Sequence, residues 1–188
     1  MQDSPMVVVS EDDVKFHNSL RENIKSFLAR SGQRFDRAGA RVLDVAPQDH
    51  DGAAPHFPFA DVQTLDIDPA SGATYVADLC VDNSDKIPSD TFDVVVCTEV
   101  LEHTLQPFDA VRELERITRP SGVVLVTTPF NFRIHGPLPD CWRFTEHGLR
   151  ALFARFEIVE LVGLETPGRD LMPIQYSLVA QKRLQDSR

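Results

Sequence analysis

Phe92-Asp93-Val94-Val95-Val96-Cys97-Thr98 and Gly122-Val123-Val124-Leu125-Val126-Thr127-Thr128 are two runs that stay apolar without polar alternation. A strand that alternates has one wet face, whereas a strand that does not is covered on both faces, as in a parallel sheet between helices. Between the runs lies Pro107 to Thr118, where Pro107 suits a first turn and Phe108, Val111, Leu114 and Ile117 recur at helical spacing. Glu113 with Arg116 and Glu115 with Arg119 would add weak exposed pairs, and Pro120-Ser121-Gly122 would turn the chain back. Strand, helix and strand make a crossover unit, which is right-handed almost without exception.

Working outward, Ser10-Glu11-Asp12-Asp13 offers a capping-box start to a helix carrying Leu20, Ile24, Phe27 and Leu28, which Ser31-Gly32 would end. Arg41 to Ala46, Val62 to Ile67 and Thr74 to Ala77 read as strands. Thr145 would cap a helix over Glu146 to Ala154, with Leu149, Leu152 and Phe153 inward. Phe156 to Leu164 and Ile174 to Ala180 form a final strand pair around a loop containing Pro167-Gly168, and Pro129 to Phe144 is a long aromatic loop. The expected architecture is one α/β domain over 1–188, with a helical extension at 1–32 and a core at 41–182. Its sheet is mostly parallel and has helices on both faces.

The 188 residues carry 19 Lys plus Arg against 29 Asp plus Glu, a formal charge of −10. That balance repels phosphate backbones, so no nucleic acid partner is expected, and no basic run marks a membrane surface. The aliphatic runs fall far short of the about 20 residues that span a bilayer. Met1 to Pro5 lacks a secretory signal pattern, and Cys80, Cys97 and Cys141 fit neither a disulfide framework nor a zinc knuckle, so a reducing cytoplasm is expected.

In an open parallel sheet, ligands bind beyond the carboxyl ends of the strands. Those ends read Asp44-Val45-Ala46-Pro47-Gln48-Asp49-His50, Leu65-Asp66-Ile67-Asp68, Ala77-Asp78-Leu79 and Cys97-Thr98-Glu99-Val100-Leu101-Glu102-His103. Acids after three successive strands suit a ligand with hydroxyls and amines. In order and spacing, these blocks, with Glu113 to Arg116 and Arg119 to Gly122, make Arg41 through Phe153 resemble the class I S-adenosylmethionine-dependent methyltransferases of the small bacterial type. The resemblance implies a Rossmann-like methyltransferase fold with an antiparallel last strand, and S-adenosylmethionine as cofactor. It places Asp44 near the methionine end, Asp66 on the ribose hydroxyls, Ile67 on the adenine, Asp78 on its amine, the Leu79 amide on a ring nitrogen and Thr98 near the methionine amine. Where the family carries glycines after the first acid, Ala46 and Gln48 flank Pro47, and Pro47 would push Ala46 toward extended backbone. Gln48, Asp49 and His50 would then substitute side-chain contacts for amides.

Each residue has a blander role open to it. Asp66 and Asp78 can solvate strand ends, Asp44 can cap local backbone, and His103 can be a packed histidine. Asp49-His50-Asp51 with His56 matches no metal-ligand spacing, so no metal is expected. Cys97 would be inert in its apolar strand. The 131–144 loop is either a substrate-facing lid or a structural plug in which Arg143 pairs with Asp140. On the first alternative, His103 or His135 is a base, Asp140 orients it, and Trp142 and Arg143 meet the substrate. The expected function is methyl transfer to a small molecule or biosynthetic intermediate by a monomer or homodimer, whose second and third strands leave an edge sparsely covered. A binding or regulatory protein with lost cofactor use is the alternative. A nicotinamide enzyme ranks below both, because no GxGxxG turn is present.

Overall fold

A computed structural model describes residues 8–47 and 52–184. Gln48, Asp49, His50 and Asp51 lie outside the described residues, as does the Met1 to Pro5 start. Seven strands form one sheet in the order β3-β2-β1-β4-β5-β7-β6: β1 (Arg41–Val45), β2 (Asp61–Asp66), β3 (Tyr75–Val76), β4 (Phe92–Thr98), β5 (Thr118–Pro129), β6 (Phe156–Leu164) and β7 (Gln175–Lys182). The first five are parallel, β7 runs antiparallel to β5, and β6 antiparallel to β7. The order reverses between β1 and β4, which opens a crevice at their carboxyl ends.

The two apolar runs are the centre of the sheet, and their alternate residues feed different layers. Val94 and Val96 of β4, with Val123 and Leu125 of β5, face helix α1 (Glu11–Phe35) through Leu20, Ile24, Phe27 and Leu28. Val95 and Cys97, with Val124 and Val126, face α2 (Pro107–Ile117) and α3 (Glu146–Leu152) through Val111, Leu114, Leu149 and Leu152. Ser10 and Asp13 form the expected capping box. Phe108 departs from the expected stripe and is exposed, because a strict three-residue repeat drifts off a 3.6-residue turn; Ala110 is buried beside Val111 in its place.

Several boundaries move for visible reasons. Helix α1 runs past Gly32 to Phe35, since Gly32 is a packing residue there: a Cβ would lie 2.0 Å from the His56 carbonyl oxygen in the short 3-10 turn Ala54–His56. Pro120-Ser121-Gly122 does not turn the chain back but lies within β5, where Ser121 takes φ +62 and the pairing slips between Phe92 and Val94, as at a bulge. Arg119 pairs with Asp93 at 2.7 Å and Glu115 with Arg155 at 2.7 Å, not with each other. The Glu113–Arg116 pair does form, at 2.6 Å, but its carboxylate is buried. Among the described residues no α-helix follows β1, β2 or β3, so that edge is as thinly covered as expected.

Candidate active site

A cavity of about 520 Å³ opens at the carboxyl ends of β1, β2, β3 and β4. Of the residues expected from the sequence, it brings together Ala46, Asp66, Ile67, Asp78, Leu79, Thr98, His103 and His135. Asp44, Asp140, Trp142 and Arg143 stand behind the lining.

At one end the strand-end acids sit on built turns. Asp66 is buried and spends Oδ1 on the Asp68 amide at 2.8 Å, with the exposed Ile67 between them. Asp78 accepts from the Cys80 amide at 2.8 Å, while Asn83 clamps the Asp78 and Val81 carbonyls at 2.9 Å each. Asn83 is in turn held through its own amide by Glu113 of α2 at 3.2 Å, which ties the Asp78-Leu79 turn to the core.

The turn after β1 corrects one expectation. Ala46 is not extended but left-handed, with φ +51, so the chain leaves the strand directly after the last bond of the β1–β2 ladder, from the Ala46 amide to the Leu65 carbonyl at 2.7 Å. Such a conformation costs an L-residue about 1–2 kcal/mol, and it belongs to the backbone region that glycine adopts freely. Gly52, at φ +60, packs so closely that a Cβ would lie 2.4 Å from Asp44 Oδ2. Asp44 accepts from the Ala53 amide at 2.6 Å, the capping role that the sequence left open. Burial outweighs that bond and raises the Asp44 carboxyl to about 6.

The other end is built by β4, the short turn Leu101–His103 and the 131–144 loop. His103 Nδ1 lies 2.9 Å from the Pro139 carbonyl, which only accepts, so Nδ1 carries the proton and Nε2 presents a lone pair. His135 Nδ1 lies 3.1 Å from Asp140 Oδ2 but out of line for a hydrogen bond. Asp140 is gripped by both Nη atoms of Arg143 at 2.5 and 2.7 Å and by the His135 amide at 3.0 Å. Its burial opposes ionisation, yet these donors prevail and hold the carboxyl down at about 2. Burial lowers the His135 imidazole against the pull of Asp140, so the neutral ring is favoured. Trp142 donates to the Thr104 carbonyl at 2.8 Å and stacks on Phe144, while Arg143 also donates to the Arg133 carbonyl at 2.9 Å. Both brace the loop: the Arg143–Asp140 pair forms and Phe144 is buried, whereas Trp142 is half-exposed and is not a core plug. Cys97 is buried and its thiol pushed far up by desolvation, which matches an inert role.

Two acids that the sequence displayed at the β4 end, without a site role, belong here. Glu99 lines the cavity at φ +55, with Oε1 accepting from Gln175 at 2.8 Å and Oε2 buried without a partner among the described residues. Glu102 is fully buried, and neither carboxylate oxygen has a partner among the described residues. Desolvation raises both, Glu99 to about 7 and Glu102 well above its usual range, with Glu99 adding to the second shift. Glu102 Oε1 lies 3.8 Å from Nε2 of His103 and 3.8 Å from Nε2 of His135. Glu102, His103 and His135 each offer a ligand atom within 4.8 Å of the others. The signal was the three-residue spacing of Glu99 and Glu102 around apolar Val100 and Leu101, which puts both acids against the core. Helix α1 also contributes, through His17, Leu20 and Arg21 in the lining, so it is part of the site and more than an extension.

The methyltransferase domain family matches residues 16–163. A SAM-dependent methyltransferase from Methanosarcina mazei is 16% identical, with a TM-score of 0.63 over 81% of this chain and 97% of that one. The YcgJ protein of Bacillus subtilis is 16% identical, with a TM-score of 0.60 over 90% of this chain and 100% of that one. The cyclase SpnF is 16% identical, with a TM-score of 0.62 over 84% and 80% of the two chains. These likenesses show a shared fold, and no curated protein matches the chain. The domain match over most of the chain, the β3-β2-β1-β4-β5-β7-β6 sheet and the strand-end cavity agree: the chain belongs to the class I S-adenosylmethionine-dependent methyltransferases.

Proposed function

We propose that this methyltransferase acts on a small molecule through an oxygen or nitrogen acceptor, bound between the strand-end acids and the 131–140 loop. The observation that carries this is the division of a single cavity into an acid and apolar end at Asp66, Ile67, Asp78 and Leu79 and an imidazole end at His103 and His135. A cavity of about 520 Å³ suits a cofactor beside a compact acceptor group. The lining fits S-adenosylmethionine: a buried carboxylate at Asp66 matches a ribose diol, and Ile67 and Leu79 offer apolar cover to a base. Asp44, Ala46 and Thr98 stand on the side where the methionine portion would lie.

When bound, S-adenosylmethionine supplies a methyl group already electrophilic on its sulfonium, so the protein's task is alignment and exclusion of water. His103 and His135 stand where the acceptor's proton must leave. Asp140, itself held by Arg143, accepts from the His135 amide at 3.0 Å and so fixes the backbone that carries the ring. Phe132, edge-on to His135 at 5.3 Å between ring centroids, adds apolar lining at that end.

Calorimetric titration with S-adenosylmethionine and S-adenosylhomocysteine tests the cofactor half. A micromolar isotherm is expected, weakened about 10- to 100-fold by Asp66→Asn, since charged hydrogen bonds are worth about 1.5–3 kcal/mol. No heat near millimolar ligand would refute it and favour a methyltransferase-fold protein with altered cofactor use. Mass spectrometry of copurified small molecules tests the acceptor half.

A further inference from the structure

We propose that Glu102, His103 and His135 form a binding site for one divalent transition-metal cation, opening into the cavity at its imidazole end. Glu102 is fully buried, and both its oxygens lack a partner among the described residues. A buried polar group left without a partner is costly, and a buried carboxylate more so unless it is paired or coordinates a metal. Facing Oε1 at 3.8 Å each are two imidazole Nε2 atoms, from His103 next in the chain and from His135 on the loop beyond β5.

One outer contact sets a tautomer: the Pro139 carbonyl accepts a hydrogen bond from His103 Nδ1, which leaves Nε2 of that ring as an acceptor. The Asp140 carboxylate stands 3.1 Å from His135 Nδ1 and favours a proton there, so that with Glu102 ionised three lone pairs face one another. Metal-binding histidines are commonly oriented in this way, by a carboxylate or carbonyl on the far nitrogen. A cation about 2 Å from each donor would hold them about 3 to 3.5 Å apart, so each Glu102–histidine separation of 3.8 Å would shorten by a few tenths of an ångström and the two imidazoles would close from a separation within 4.8 Å. Two imidazoles and a carboxylate select zinc, iron, cobalt, nickel or manganese over magnesium or calcium. Three protein donors leave coordination positions free. His103 and His135 line the cavity, and Glu99 Oε2, also buried and unpartnered among the described residues, stands on the same wall. Resting on the methyltransferase reading above, the open positions are where an oxygen or nitrogen acceptor would be held; with both Nε2 atoms on the cation, the cation in place of the histidines would ease loss of the acceptor's proton to solvent.

The test titrates chelator-stripped, full-length protein with Zn²⁺, and with Co²⁺ as a spectroscopic probe. One equivalent is expected to bind, with a Co²⁺ visible spectrum of nitrogen and oxygen donors. Glu102→Gln and His135→Ala should each weaken binding at least 100-fold, Asp140→Asn about 10- to 100-fold through ring orientation, and His147→Ala on α3 not at all. Circular dichroism checks that each variant folds. Should a variant unfold, shifts of the His103 and His135 ring resonances on Zn²⁺ addition to the wild type decide the matter. Absence of stoichiometric binding by the wild type, or binding that survives Glu102→Gln and His135→Ala, would overturn the site and leave Glu102 as a protonated, structural carboxyl. Titrating the metal-free protein with S-adenosylmethionine separates the two proposals. Metal binding without cofactor binding would sink the methyl-transfer reading alone, and cofactor binding without metal binding would sink the site alone.

Discussion

Arg116→Ala should damage the fold and the Asp78-Leu79 end of the cavity together. The guanidinium meets Glu113 with two bonds, Nε to Oε2 at 2.8 Å and Nη2 to Oε1 at 2.6 Å, and its Nη1 donates to the Ile87 carbonyl at 2.8 Å. The Glu113 side chain is 5% exposed and that of Arg116 20%. Removing one partner of a buried ion pair costs about 3–5 kcal/mol, chiefly because the remaining charge is stranded, and the partial exposure of Arg116 places this case near about 3 kcal/mol. For a domain of this size that is about 6–12 °C in melting temperature. The consequence reaches the site because Glu113 also holds the Asn83 amide, and Asn83 clamps the turn carrying Asp78 and Leu79. Urea denaturation would show a lower midpoint at unchanged slope, and S-adenosylmethionine affinity would fall with it. The double replacement Glu113→Leu with Arg116→Met should recover part of the stability, since no charge is then stranded although the buried Asn83 amide loses its acceptor, and that lost acceptor should keep the cofactor affinity low. A loss below about 1 kcal/mol in the single variant, or a double variant no more stable than the single, would refute this account.

Two further perturbations address the turn after β1. Asp44 has a folded-state value of about 6 against an ordinary 3.8, so the native state binds more protons than the unfolded chain between those limits. Stability contributed by its neutral form is therefore present below about pH 4 and is lost as pH rises to about 6, by about 3 kcal/mol in total, after which the dependence is flat. Comparing wild type with Asp44→Asn by urea denaturation across pH 4 to 7 isolates the effect, and a constant difference would contradict it. Gly52→Ala puts a methyl group 2.4 Å from Asp44 Oδ2 on a backbone at φ +60, so it should cost about 1–3 kcal/mol. Unchanged thermal unfolding would show that the turn can relax.

Elements written in local periodicity are legible in the residues alone. The unalternating runs of β4 and β5, the capping box at Ser10 and the order of strand-end acids depend on residues a few positions apart, and the sheet uses them as expected. Boundaries failed where a distant neighbour decided them. Gly32 reads as a helix stop, but the His56 carbonyl makes it a packing residue, and Ala46 before proline reads as extended but is left-handed where the β1–β2 ladder ends at the Leu65 carbonyl.

The sequence by itself determined the fold class, the family and the strand-end acids that line the cavity, because in a parallel sheet each strand's carboxyl end points to the same crevice and chain order is enough to list what lies there. Tertiary structure alone decided the imidazole end of the cavity. Glu102 and His103 are fixed by β4, whereas His135 returns from a loop braced by Arg143, Asp140 and Trp142, and only the folded chain brings their lone pairs together. Burial, which no residue's identity specifies, turned Glu99 and Glu102 from two of 29 acids into buried carboxylates, Glu102 facing two imidazoles.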